Sequence, residues 1–248
     1  MGLMLRISCP KLVFMKLAGS LAWEFLFENL DSLKKAVIHI RDFFEDTYPT
    51  LEVFYELFHV ESLSISLYCV GKCCHPQPGD LLDLPYLKTL ELTVDDAMYV
   101  FIPFLQSFPD LESLHLIFIK YVYGLGDLNL EEPETISLLT RVLKKVEFLE
   151  FDEEKPKLAV ARALLEHGNL LEEMVFSWGD EGRFHERSME TMKEVSKFHK
   201  ASSTVKLKFV FKPRQVDPIP APKLLGSDSA QVESSMCESN SSINMPGS

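Results

Sequence analysis

Leu84-Pro-Tyr-Leu-Lys-Thr-Leu-Glu-Leu-Thr-Val94 and Phe108-Pro-Asp-Leu-Glu-Ser-Leu-His-Leu-Ile-Phe118 are two copies of one pattern. In each, a Leu closes a proline-containing turn, and apolar residues follow at the third, fifth and seventh places after it. The two sets are Leu87, Leu90, Leu92, Val94 and Leu111, Leu114, Leu116, Phe118. The last three of each set alternate, which puts them on one face of a short strand, while the first turns back onto the same core. Outward from this pair, Leu171, Met174, Phe176 and Trp178 form a third copy in the same register. Degenerate copies begin at Leu12 (Met15, Leu17), Leu33 (Ala36, Ile38, Ile40), Val60 (Leu63, Ile65, Leu67) and Val146 (Leu149, Phe151). Successive starts lie 21, 27, 27, 24, 35 and 25 residues apart.

Five of these six intervals fall in the ~20 to 29 residue range of leucine-rich repeats. One such unit cannot bury its apolar face, whereas stacked units pair strand to strand and share a core. The expected fold is therefore α/β, an irregular leucine-rich-repeat solenoid with a curved parallel sheet. Short helices or turns should cover the other side. Met98, Phe101, Ile102 and Leu105 have the spacing of a buried helical stripe, with Pro103 implying a kink or a late start. Ile136, Leu139 and Leu143 follow Pro133, which suits a first helical turn. Tyr121 to Glu132, with Gly124 and Gly126, is expected to loop out.

The pattern then changes. A strand from Val146 to Phe151 and an acidic turn, Asp152-Glu153-Glu154, precede a helix from Pro156 through Glu166, with Leu158, Ala161 and Leu165 on one face. It should stop at His167-Gly168, the glycine supplying a left-handed cap. The strand Leu171 to Trp178, a polar insert to Arg187 and a helix carrying Met189, Met192 and Val195 follow. The last strand alternates Val205, Leu207, Phe209 and Phe211 inward with Lys206, Lys208 and Lys212 outward. This makes a β-α-β-α-β unit. Beyond it, Pro213, Pro218, Pro220, Pro222 and a Ser-rich stretch predict a disordered tail. The expected organisation is repeats over 1–138, the first truncated, the β-α-β-α-β module over 139–212, and tail over 213–248.

Val146-Glu-Phe-Leu-Glu-Phe, Ala159 to Phe176 and Ala201-Ser-Ser-Thr-Val-Lys-Leu-Lys-Phe together resemble the FBD module of plant F-box/FBD/LRR-repeat proteins. The copies from Leu84 and Phe108 resemble the irregular repeats of the same family. The resemblance runs from about Leu5 to Phe211 and has no counterpart of the N-terminal F-box. It implies a non-enzymatic protein-interaction module similar to the substrate-binding part of an F-box ubiquitin-ligase receptor. A Skp-type adaptor and a cullin would be partners only if an F-box lies upstream. The alternatives are an orphan scaffold or competitor with no ligase role, or an enzyme with an unrecognised site.

Composition agrees with protein partners. Across 248 residues, 25 Lys+Arg stand against 37 Asp+Glu, a formal charge of −12. Counter-ion release at a phosphate backbone needs clustered cations, so neither nucleic acid nor an anionic membrane is an expected partner. A hydrophobic fraction of 46% predicts a real core. Five cysteines, an odd number with Cys73 and Cys74 adjacent, make a poor disulfide framework and read as reduced thiols. Arg6, Pro10, Lys11, Lys16 and Glu24 interrupt any signal-peptide core, and no apolar run reaches the ~20 residues of a membrane span. Arg6 occupies the hydroxyl position of the myristoylation motif that Gly2 would begin. The expected location is intracellular, cytoplasm or nucleus.

Signatures of catalysis are nearly missing. Gly124-Leu-Gly126 starts a dinucleotide fingerprint but Asn129 stands at the third glycine. No Walker-type GxxxxGK and no GxSxG occur. His185-Glu186 starts an HExxH motif whose second histidine is Met189, so two ligands cannot share a helical face. Cys69, Cys73, Cys74 and His75 have no second ligand pair, and free thiols after a strand account for them. His39 and His115 fall at outward strand positions. Catalytic residues, cofactors and metals are therefore expected to be none. In a sheet of this kind the residues between the apolar ones point outward to a partner. They are Ser62, Ser64 and Ser66 in one repeat, Lys88, Thr89, Glu91 and Thr93 in the next, and Glu112, Ser113, His115 and Ile117 in the third.

Overall fold

The computed structural model describes residues 4–21, 24–43, 56–67, 69–70, 84–94, 101–118, 141–151, 155–178, 186–211 and 231–234. Its local logic is a turn and a handover, repeated. The N–H of Leu12, Leu33, Val60, Leu87, Leu111 and Leu171 donates to the carbonyl three residues back, at 2.8 to 3.3 Å, so the first apolar residue of each copy closes a tight turn. The next two N–H groups then donate to a single carbonyl at the start of the preceding strand. Glu61 and Ser62 reach the Lys34 carbonyl, Lys88 and Thr89 that of Glu61, and Glu112 and Ser113 that of Lys88. Lys144 and Lys145 reach the Glu112 carbonyl, and Glu172 and Glu173 that of Lys144. A backbone that enters each strand in the same way must lay successive strands side by side in one direction.

That is the sheet observed. The strands β2 (Phe14–Leu21), β4 (Lys35–Phe43), β5 (Ser62–Ser66), β6 (Thr89–Val94), β7 (Ser113–Phe118), β8 (Lys145–Leu149), β9 (Glu173–Trp178) and β10 (Lys206–Phe211) are parallel neighbours in sequence order. The register aligns Met15, Ala36, Leu63, Leu90, Leu114, Val146, Met174 and Leu207 in one row. Leu17, Ile38, Ile65, Leu92, Leu116, Phe148, Phe176 and Phe209 form the next. Both rows face a continuous core, buried everywhere except at the β10 edge, where Leu207 and Phe209 are partly covered. Phe118, Phe148, Phe176 and Phe209 stack across β7 to β10, with centroids 6.3, 5.2 and 5.5 Å apart. The sheet thus passes the boundary placed at 138/139 without a break in pairing.

Helices α1 (Phe101–Gln106), α2 (Lys155–His167) and α3 (Glu186–Ser196) fall between strands. Pro103 lies in the first turn of α1, so the helix starts late. Phe101, Phe104 and Leu105 of α1 are buried. On α2, Ala161 and Leu165 are buried as expected and Leu158 is half-buried. Lys157 is also buried, its ammonium 5.7 Å from the Phe118 ring centroid. Arg162 ties α2 to the α3 end of the chain, 3.8 Å from Glu194 and 4.6 Å over the Phe198 ring.

Several expectations are corrected. The sixth copy begins at Leu143, not Val146: Leu143 is buried, Lys144 makes the handover, and Val146 pairs with Leu114. Leu143 therefore opens a strand unit and does not belong to a helical stripe. Gly168 has no left-handed φ. It is glycine because a Cβ would stand 2.5 Å from the Leu164 carbonyl oxygen, which the Gly168 N–H itself approaches at 2.9 Å. On α3, Val195 is buried and Met192 packs partly buried against the core as expected, but Met189 is exposed, and Ser188 and Thr191 are buried. At the N-terminal end a second, two-stranded parallel sheet of β1 (Met4–Ser8) and β3 (Glu24–Glu28) lies where a helix or turn was expected between repeat strands. The apolar run Phe25-Leu26-Phe27, flanked by Glu24 and Glu28, suits that short strand. Finally, β11 (Gln231–Ser234), inside the stretch assigned to the tail, pairs antiparallel with the otherwise open edge of β2. Residues 121–132 and Cys73, Cys74 and His75 lie outside the described residues.

Candidate protein-binding face

The face of the sheet opposite the core is built from the residues between the two apolar rows. Their register is fixed by the same pairing. Ser62, Thr89 and Ser113 form one row, Ser64, Glu91 and His115 the second, and Ser66, Thr93 and Ile117 the third. The structure therefore brings nine of the eleven expected residues into a three-by-three block on β5, β6 and β7. Lys88 and Glu112 stand one place before β6 and β7, on the rim where the strands begin. Two of the three serines on β5 are held by their surroundings. Ser64 is buried between its neighbours, and Ser66 Oγ accepts the Cys69 N–H at 3.2 Å, holding the chain as it leaves β5.

Hydrogen bonds cross the strands of this face. Ser64 Oγ donates to Glu91 Oε1 at 2.7 Å and lies 3.0 Å from His39 Nε2. His115 lies 3.0 Å from Ser113 Oγ through Nε2 and 3.2 Å from Glu147 Oε2 through Nδ1. Ser177 Oγ donates to the other oxygen of Glu147 at 3.2 Å. Beyond it, Lys145 lies 3.9 Å from Glu173, which Lys208 of β10 also pairs. Lys145 also lies 4.0 Å from Glu147, so the face carries two linked groups, one on β4 to β6 and one on β7 to β10. Side chains held this way lose less freedom on binding than solvated ones.

Burial holds His115 below its ordinary pKa, and Lys145 acts in the same direction, against the carboxylates of Glu147 and Glu91. The ring is consequently neutral at pH 7. A carboxylate can only accept, so the neutral ring carries its proton on Nδ1 toward Glu147, and Nε2 accepts from the Ser113 hydroxyl. Along the rim the charge alternates: Lys34, Glu61, Lys88, Glu112, Lys144, Glu172. Lys34 bonds Glu61 and Lys144 bonds Glu112, each at 2.8 Å. These bonds lower the pKa of both carboxyls and raise that of Lys144. Exposed pairs of this kind add little to stability, but they set the charge pattern of this rim.

Lys208 and Glu173 were expected outward but not as binding residues, and Glu147, Ser177 and Lys145 were not expected on the face. The signal for Glu147 was the alternation Val146-Glu-Phe148, which the misplaced start at Val146 concealed: from Leu143, Glu147 falls in the row of His115 and Glu91. Among the described residues no group of three or more His, Cys, Asp or Glu side chains could hold a metal ion. No helix among them is long and apolar enough to cross a membrane. Comparison with family models, curated proteins and solved structures finds no match.

Proposed function

We propose that the chain is a non-enzymatic protein-interaction module, an irregular leucine-rich-repeat solenoid ending in an FBD-like unit, whose outward sheet face holds a protein target. Its role is that of the substrate-binding part of an F-box ubiquitin-ligase receptor, acting inside the cell. A Skp-type adaptor and a cullin join it only through an F-box upstream of this sequence. The observation that carries the reading is the polar block on β5 to β7, prearranged by the cross-strand bond of Ser64 with Glu91 and by the bond of Ser113 with His115 along β7. A mixed, polar surface of this type fits a folded protein or an extended peptide better than an apolar small molecule.

The test compares two variants in capture of target from extract. Thr89→Arg with Thr93→Arg places two bulky cations on the outward face. Glu190→Arg changes an exposed site on α3. The proposal expects the target to be lost with the first and retained with the second. Equal retention by both would remove the face from the interaction.

A further inference from the structure

The outward face carries two groups made from the same residue types in different orders, and the order decides what each can do. In the group on β4 to β6 the serine is in the middle: Ser64 gives its proton to Glu91 at 2.7 Å and lies 3.0 Å from His39. Its hydroxyl is committed to a carboxylate and buried. In the group on β7 and β8 the histidine is in the middle, with Ser113 Oγ at 3.0 Å from Nε2 and Glu147 Oε2 at 3.2 Å from Nδ1. Ser113 is half-exposed, His115 is 22% exposed and Glu147 is 7% exposed, so the serine is reachable and the carboxylate is sheltered. Ser177 and Lys145 hold the carboxylate in place. Nucleophile, base and orienting acid thus stand in the geometry of an activated serine.

We propose that Ser113 is a histidine-activated nucleophile that accepts the acyl group of an activated ester at this face. In the step, Ser113 Oγ forms a bond to the acyl carbon while its proton passes to His115 Nε2, and Glu147 stabilises the resulting imidazolium. The bond from the acyl carbon to the leaving oxygen then breaks, and the imidazolium returns its proton to the departing alcohol or phenol. The product is an ester of Ser113. The Ser113 N–H is bonded to the Lys88 carbonyl at 2.9 Å, and β7 is paired on both sides, so its backbone offers no donor to a developing oxyanion. Oxyanion donors are usually a large contributor to acyl transfer. The site therefore suits esters with good leaving groups and favours a single acylation over rapid turnover. This property is independent of target binding, because it needs no partner.

The probe is p-nitrophenyl acetate, with nitrophenolate release followed by absorbance and the acetyl group located by peptide mass spectrometry. Acetyl should be found on Ser113. General-base assistance is worth about 10²- to 10⁴-fold, so His115→Asn should slow acetylation of Ser113 by at least about 100-fold. Glu147→Gln should slow it less, with far-UV circular dichroism unchanged. Ser113→Ala should remove the modified peptide while leaving the other acetylated sites as they were. The wild-type rate at Ser113 should rise with pH to a plateau reached by neutrality, since burial, aided by Lys145, holds His115 low against Glu147 and Glu91. Absence of acetyl on Ser113, or equal rates in wild type and His115→Asn, overturns the proposal. Should the His115 variant not fold, a Ser113 rate independent of pH in the wild type overturns it equally.

Discussion

Truncating Phe148 to alanine removes the central ring of the stack that joins β7 to β10. Phe148 is fully buried, lies nearly parallel to Phe176 at 5.2 Å and to Phe118 at 6.3 Å, and meets Phe151 edge-on at 5.5 Å. Loss of a buried phenylalanine costs about 3–5 kcal/mol in lost transfer energy and cavity. Phe148→Leu keeps most of the apolar volume but loses the ring contacts, each worth about 0.5–1.5 kcal/mol, so its cost should be about 1–2 kcal/mol. The assay is equilibrium urea unfolding in a Trp23→Phe background, where Trp178 alone reports by fluorescence and circular dichroism reports the whole chain. Trp178 packs on Phe151, Phe176 and Phe209, on the far side of the stack from the first repeats. Both probes should shift together, because the sheet is paired continuously from β2 to β10. A loss below about 1 kcal/mol for Phe148→Ala, or separate transitions by the two probes, would refute the stack as the joint between the two halves.

Three further outcomes follow from the same structure. Leu92→Ala, at a fully buried place between Ile65 and Leu116, should cost about 2–5 kcal/mol by denaturant unfolding. Gly168→Ala should destabilise despite alanine's higher helix propensity, since its Cβ would meet the Leu164 carbonyl at 2.5 Å and backbone must move; a gain in thermal midpoint contradicts this. With the folded pKa of His115 lowered beneath its usual 6.5, the unfolded chain binds the proton first as pH falls. The stability this histidine contributes is therefore present above pH 6.5 and lost on descending toward the folded pKa, and His115→Asn should flatten that part of the stability profile. Glu61 and Glu112, lowered from 4.5 by their lysines, act in a separate window that opens only below pH 4.5.

The apolar rows were legible in the sequence because burial on one face of a strand enforces alternation. The apolar residues of the copies at Val60, Leu87, Leu111 and Leu171, and Leu33, Ala36 and Ile38 of the copy before them, are in the core. The sixth copy was misread by three residues because Val146, Phe148 and Phe151 are all buried, so apolar spacing alone allows two frames there. The Leu-Pro or Phe-Pro turn that marks the frame of the copies at Leu87 and Leu111 has no counterpart at that point. Gly168 was legible as a necessary glycine but not for its reason, since a positive φ and a close carbonyl select the same residue. The face residues followed directly from alternation. What joins them did not: the pairing of His115 with Glu147 spans 32 positions in sequence and depends on the register of β7 with β8. Nor could composition foresee β11, because its place is made by the free edge of β2 and not by any property of the tail.

The most direct measurement is site-specific photocrosslinking of the captured target, with the photoreactive residue placed in turn at Ser62, Thr93 and Glu190. Ser62 and Thr93 lie on the outward face of β5 and β6, and Glu190 is exposed on α3. The account predicts adducts with the target from Ser62 and Thr93 and none from Glu190. Adducts from Glu190 without those from the two strand positions would contradict it.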